Sequence, residues 1–185
     1  MKSFKEWWDQ FYNNISPIKW DLKYKLQNNW FRIHCLPESK RYAENENEYS
    51  IILKRYNSIS SEILDNEECW LVYSKYKIND NKIISENIPD IDNKSLKYEF
   101  ELLIDDDEII LFWTTKIIWQ ENKFNNMLKE ISDDNLCHIY FVNIQNGNIF
   151  APYDGGADLI IKDIKEKEKL KLKYSEWLSN HPEGL

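Results

Sequence analysis

The 24 basic residues of this 185-residue chain are 21 lysines and three arginines, and Arg32, Arg41 and Arg55 all fall within one short window. In a chain that otherwise uses lysine, an arginine marks a position that needs a planar five-donor fork rather than a point charge. His34, Ser39 and Lys40 lie among the three. Such a set suits bidentate capture of a carboxylate or phosphate. If residues 30–36 form a strand, Arg32 and His34 point to one face, because strand side chains alternate. The structural alternative is internal ion pairing, with Glu38, Glu48 or Glu62 as partners.

A second group is Pro152-Tyr153-Asp154-Gly155-Gly156-Ala157-Asp158, which carries two of the chain's four glycines. Glycine permits positive φ and close backbone approach. Asp154 and Asp158 would bind a cation or accept from an arginine. The same run also reads as a tight loop in which Asp154 bonds its own turn, and it has too few oxygen ligands for a metal site. His34-Cys35 and Cys137-His138 resemble halves of a zinc site. Strand neighbours face opposite ways, however, so each pair offers one ligand per face. Residues 90–95 begin like a calcium loop, but Lys94 takes a ligand position and Ser95 the required glycine. Neither a metal nor a cofactor is expected. GxSxG, Walker A, HExxH and GxGxxG are all missing, so the enzyme classes readable from sequence lack support.

The elements that must position these residues follow from periodicity. Ser3 and Glu6 make a capping box, and Phe4, Trp7, Trp8, Phe11, Tyr12 and Ile15 form one stripe, predicting a helix over 3–15. Ile18, Trp20, Leu22, Tyr24 and Leu26 alternate, predicting a strand that pairs with 30–36 in an N-terminal hairpin; a short helix competes for the same residues. Residues 36–42 read as a loop. Asn45 caps a long helix with an apolar stripe at Tyr49, Ile52, Tyr56, Ile59 and Ile63. Further strands are expected at 69–78, 96–104, 109–119 and 136–144, with a helix at 121–132. Residues 79–95 read as irregular, and Asp105-Asp106-Asp107 as an acidic turn. Asn146-Gly147 signals a type I′ hairpin into 148–151. Residues 152–158 read as a loop before a short strand at 159–161. Asp163 caps a last helix, with Leu170, Tyr174, Trp177 and Leu178 on one face. The order predicts one α+β domain over 1–185. Five to seven largely antiparallel strands are packed by N-terminal, central and C-terminal helices.

Composition sets the limits. Aromatic residues make up 15% of the chain, which excludes disorder, and the net charge of −8 disfavours nucleic acid as a partner. No apolar run is long enough for a membrane span. Three scattered cysteines, Cys35, Cys69 and Cys137, fit a reduced, cytoplasmic chain. Heavy use of Ile, Asn and Lys suggests an AT-rich bacterial genome.

Two blocks carry a resemblance. The first is Trp30-Phe31-Arg32-Ile33-His34-Cys35-Leu36-Pro37-Glu38-Ser39-Lys40-Arg41-Tyr42, followed by Tyr49 and Arg55-Tyr56-Asn57. The second is Ile139-Tyr140-Phe141, then residues 149–158, ending with Lys173-Tyr174-Ser175-Glu176-Trp177. Within the regions 30–64 and 136–178 the chain resembles a bacterial family, the domain of unknown function numbered 3885. The resemblance implies no known chemistry. It points to Arg32, His34, Lys40, Arg41, Tyr153, Asp154 and Asp158. A Tyr-Asp-Asp-Arg-Gly form is common in that family; here Gly155 and Gly156 are set against its second Asp and its Arg.

The leading expectation is a non-enzymatic protein whose partner is another protein, in its specific form an acidic immunity-type inhibitor of a basic partner. It requires an exposed acidic or aromatic patch. The rival is a small-anion binder or an unrecognised enzyme, and it requires Arg32, Arg41 and Asp154 in one cleft. A third possibility is structural, with Arg41 or Arg55 pairing Asp154 or Asp158.

Overall fold

The computed structural model describes residues 2–78, 84, 86–105 and 108–179, without the Asp105 side chain. Asp106 and Asp107 of the expected acidic turn, and much of 79–85, lie outside the described residues.

Helix α1 (Phe4–Phe11) starts at the predicted capping box: the Ser3 hydroxyl accepts from the Glu6 amide, and the Glu6 carboxylate accepts from the Ser3 amide. It ends four residues short of Ile15, where Asn14 turns into the left-handed region ahead of Pro17. The expected strand at 18–26 is instead helix α2 (Lys19–Lys25), so no N-terminal hairpin forms. Ile18, Leu22 and Leu26 recur every four residues, which satisfies a period of two and a helical face alike. The residues that distinguish the two, Trp20 and Tyr24, are 38% and 64% exposed.

Strand β1 (Trp30–His34) leads through a 3-10 turn (Pro37–Ser39) to α3 (Glu46–Leu64). Asn45 caps α3 as expected, its side chain accepting from the Glu48 amide. Next come β2 (Glu68–Tyr76), β3 (Lys97–Asp105), β4 (Glu108–Ile118), α4 (Asn125–Ser132), β5 (Ile139–Asn143), β6 (Ile149–Tyr153), β7 (Gly156–Ile160) and α5 (Ile164–Lys173). These seven strands form one sheet in the order β1-β7-β6-β5-β2-β4-β3, with every pair antiparallel. β1 and β2 are not neighbours, so the parallel crossover that the sequence allowed between them is not used.

Two apolar layers sandwich the sheet. The predicted α3 stripe, with Met127, Leu128 and Ile131 of α4 and Leu170 of α5, packs on Ile33, Leu71, Phe141, Phe150 and Leu159. On the other face Phe4, Trp7, Trp8 and Leu22 pack on Val72, Phe112, Tyr140 and Val142. β2 and β5 are buried on both faces, which explains their continuous apolar runs.

The β5–β6 connection is not the expected type I′ turn. That turn needs positive φ at both central residues, whereas only Gly147 has it, at 76°. The Asn143 side chain stabilises the turn by accepting from the amides of Gln145 and Asn146. The expected 152–158 loop is instead a tight hairpin. β6 runs through Tyr153, β7 begins at Gly156, and only Asp154 and Gly155 lie between paired residues. Asp90, at the head of the rejected calcium loop, accepts from the Asn126 side chain and the Met127 amide at the start of α4.

Candidate functional site

Edge strand β1 pairs with β7 so that Arg32 faces Asp158 and His34 faces Gly156. That register places the two candidate segments side by side. Arg32 donates through Nε to Asp158 Oδ1 at 2.8 Å and through Nη2 to Oδ2 at 3.0 Å. Trp30 Nε1 adds a third donor to Oδ1 at 2.9 Å. The guanidinium also stands 4.8 Å from the Tyr153 ring centre and 5.6 Å from that of Trp30. The arginine fork is therefore filled by the chain's own carboxylate.

Between β6 and β7, the two-residue hairpin turn carries a second pair. Asp154 is buried and accepts from Arg41 Nε at 2.5 Å and from the Tyr42 hydroxyl at 2.7 Å. Burial alone would raise its pKa, but the two donors outweigh it and hold the carboxyl below the ordinary range. The Cys35 thiol contacts the Arg41 and Asp154 carbonyls. Underneath, the Tyr56 hydroxyl donates to the carbonyls of Tyr153 at 2.6 Å and Gly156 at 3.0 Å. Gly156 is demanded by close approach: a Cβ there would lie 1.9 Å from the Ile33 carbonyl oxygen. Even a methyl group there would force that backbone to shift.

Arg55 uses its fork differently. Nη1 donates to the His34 carbonyl at 2.8 Å, and the guanidinium lies 5.3 Å from the Trp177 ring centre. The His34 ring nitrogen Nε2 is buried and has no hydrogen-bond partner among the described residues. Burial first, then Arg32 and Arg55, lower its pKa and keep the imidazole neutral. Lys40 belongs to a separate cluster, donating to Glu48 at 2.7 and 2.9 Å and pairing with Glu44 at 3.0 Å. Ser39, at φ 59°, joins neither aspartate. Of the three glutamates expected as arginine partners, Glu48 pairs with Lys40 and Glu62 with Lys173, and no arginine pairs with Glu38 among the described residues.

The site thus gathers Arg32, His34, Arg41, Arg55, Tyr153, Asp154 and Asp158 around one hairpin and leaves Ser39 and Lys40 outside it. Sequence reasoning missed Tyr42, which adjoins Arg41, and Tyr56, which sat inside the apolar stripe. It also missed Lys19, whose Nζ donates to the Pro152 carbonyl and lies 5.6 Å from the Tyr153 ring centre. A further group lies where α2 meets the ends of β2 and β5. Trp20 stacks on Tyr76 at 6.2 Å, and His138 packs edge-on to both. Trp20 and Tyr76 are both exposed.

Nucleophilic thiol chemistry finds no support. Cys35 and Cys69 are buried, and burial pushes their thiols up to about 11 and about 12; Cys137 is exposed, and partial desolvation and Asp134 raise its thiol as well. Among the described residues no group of three or more His, Cys, Asp or Glu could hold a metal ion, and no helix is long and apolar enough to cross a membrane. Two surface grooves of about 330 and 430 Å³ lie elsewhere, and no predicted site residue lines either.

No curated protein and no solved structure matches the chain. A family model does, over residues 18–182, which takes in both ion pairs, the β6–β7 hairpin and all seven strands. The chain therefore belongs to the family described as Domain of unknown function (DUF3885).

Proposed function

We propose that this is a bacterial, cytoplasmic interaction protein whose partner is a basic protein, in the manner of an immunity-type inhibitor. The observation that carries the reading is the aromatic group Trp20–Tyr76–His138, in which Trp20 and Tyr76 are exposed. Large rings held in stacked geometry while facing solvent are the residue types that anchor protein interfaces. The net charge of −8 would speed encounter with a basic partner. The acidic residues Glu44, Glu46, Asp133 and Asp134, grouped where α3 begins and α4 ends, add to that field. The engagement of Arg32 and Arg41 by internal carboxylates weakens the small-anion alternative. One observation still favours it, the unpartnered His34 Nε2 between Arg32 and Arg55.

The test is quantitative affinity capture from a bacterial lysate, comparing the wild type with a Trp20→Ser/Tyr76→Ser variant of unchanged melting temperature. The expected result is a basic protein enriched by the wild type, lost in the variant and released by salt. Equal recovery by both proteins would rule the aromatic group out as the docking surface.

A further inference from the structure

Among the described residues four large aromatic side chains stand exposed: Trp20, Tyr24, Tyr42 and Tyr76. Two of them are covered by a cation of the chain itself. Lys23 Nζ lies 5.7 Å from the Tyr24 ring centre, and the Arg41 guanidinium 5.6 Å from that of Tyr42. The negative face of an aromatic ring attracts a cation within about 6 Å of its centre. No described lysine or arginine stands over Trp20 or Tyr76. Lys19, next to Trp20 in the chain, is turned onto the Pro152 carbonyl and the Tyr153 ring. The Trp20 and Tyr76 rings lie within 15° of parallel, with centres 6.2 Å apart. His138 stands at a steep angle to both, with its centre 6.2 and 6.4 Å away. The three centres form an almost equilateral triangle, reached from solvent through the exposed Trp20 and Tyr76. It is assembled from α2, the end of β2 and the residue before β5. The His138 backbone is left-handed, at φ 59°, and its carbonyl accepts from the Ser74 amide at 3.1 Å, so β2 fixes where the imidazole stands.

The charges around the triangle are mixed. Lys19 and Asp134 act on His138, and Glu86, paired with Lys75, acts on the neighbouring Cys137. Burial first and Lys19 next lower the His138 pKa, with Asp134 opposing, so the imidazole is neutral at neutral pH and repels no cation. The ring faces, rather than one ion pair, therefore select the occupant, and the net charge of −8 draws a basic surface toward them. We propose that this triangle binds an arginine side chain of the basic partner. The guanidinium lies flat on the Trp20 and Tyr76 rings, with the His138 imidazole at its edge. Arginine is favoured over lysine because its planar, weakly hydrated fork stacks on aromatic faces, whereas an ammonium must shed a tighter water shell. The assignment rests on the partner interaction proposed above, which supplies the arginine, and names the side chain that this surface recognises.

The experiment titrates the isotope-labelled full chain with N-acetylarginine methylamide, and separately with its lysine and citrulline analogues, following assigned ring signals by NMR. Citrulline keeps the planar shape without the charge. The arginine probe should shift the Trp20, Tyr76 and His138 signals saturably and leave the covered Tyr24 and Tyr42 unmoved. Its affinity should exceed that of the lysine probe at least about threefold, and the citrulline probe should not saturate. Tyr76→Ser should weaken arginine binding about fivefold. Equal binding of the arginine and lysine probes, or saturable binding of citrulline, overturns the guanidinium assignment. No saturable shift up to about 50 mM arginine probe overturns the site itself. The wild-type titrations decide this even if the variant fails to fold. Affinity capture separates the two readings. Capture that depends on Trp20 and Tyr76, without probe binding, would keep the docking surface and overturn the arginine. Probe binding without capture would keep the arginine site and overturn the partner as its source.

Discussion

The two aspartates of the β6–β7 hairpin are both gripped by arginine, yet they differ in almost every physical respect. Arg32 and Asp158 are cross-strand partners, bonded at two points, with side chains 17% and 14% exposed and aromatic rings beside the guanidinium. Arg41 reaches Asp154 from a loop through a single nitrogen. Its side chain is 63% exposed while the aspartate is almost wholly buried. The first pair is fixed by strand register and is poorly screened by water. The second is a strap from the 37–42 loop to the turn, and solvent competes for one of its partners. Identical chemistry thus performs two tasks: Arg32–Asp158 seals the sheet edge, and Arg41–Asp154 holds a loop down. The Arg32 fork is filled by its own carboxylate, whereas Arg41 engages Asp154 through Nε alone.

The largest effect should come from the scaffold that both pairs share. Gly156→Ala forces a Cβ into the Ile33 carbonyl, which is backbone and cannot rotate away. The expected loss is more than about 3 kcal/mol by urea unfolding. A loss below about 1 kcal/mol would mean that the β1–β7 seam is looser than described.

Next come the pairs themselves. Arg32→Met leaves Asp158 largely buried with only the Trp30 donor, and should cost on the order of 3 kcal/mol. Arg41→Ala leaves Asp154 with the Tyr42 hydroxyl, and its effect should be roughly a third of the Arg32 effect. Side-by-side denaturation of the two variants checks the ranking, and equal losses would erase the distinction between seam and strap. Adding Tyr42→Phe to Arg41→Ala should exceed the sum of the single changes, because only together do they strip the buried carboxylate.

The smallest effect is in pH dependence. Asp154 has a folded pKa below its unfolded one, so its stabilisation is complete above the unfolded carboxylate value of about 4 and is lost as pH falls through the folded value. His34 is a base whose folded pKa is lowered, so the unfolded chain takes up its proton first. Stability should begin to fall below the unfolded histidine value of about 6.5, well before the aspartate range. His34→Gln should flatten the higher-pH part of the melting profile, and Arg41→Ala only the acid part. A profile unchanged by His34→Gln would show that the imidazole titrates as it does in water.

The sequence made the α3 stripe, the Ser3, Asn45 and Asp163 caps and the alternating strands legible, because each is a repeat or a local contact within a few residues. Its α2 reading failed for an equally local reason. Apolar residues four apart satisfy both periods, and only the exposure of Trp20 and Tyr24 distinguishes them. The arginine window was legible from residue choice alone. Its partners were not, since Asp158 and Asp154 lie more than a hundred residues away and are brought in by the β1–β7 register. The lysines show the same limit. Most read as solvated surface, yet Lys167 is buried and bonds the Asn28 carbonyl, and Lys19 bonds that of Pro152.

The sequence by itself determined an acidic, aromatic-rich α+β chain of one domain, the helix starts, and the fact that three arginines and two aspartates needed explaining. Those are properties of composition and short-range periodicity, which hold whatever the strand order. The tertiary structure decided that Arg32 and Arg41 meet internal carboxylates and Arg55 a backbone carbonyl, that Gly156 tolerates no side chain, and that Trp20 and Tyr76 meet at the surface. It also decided that Lys19 meets the Pro152 carbonyl. Each of these depends on which distant backbone atoms a side chain meets, and only the pairing of β1 with β7 and the packing of α2 against the sheet fix that.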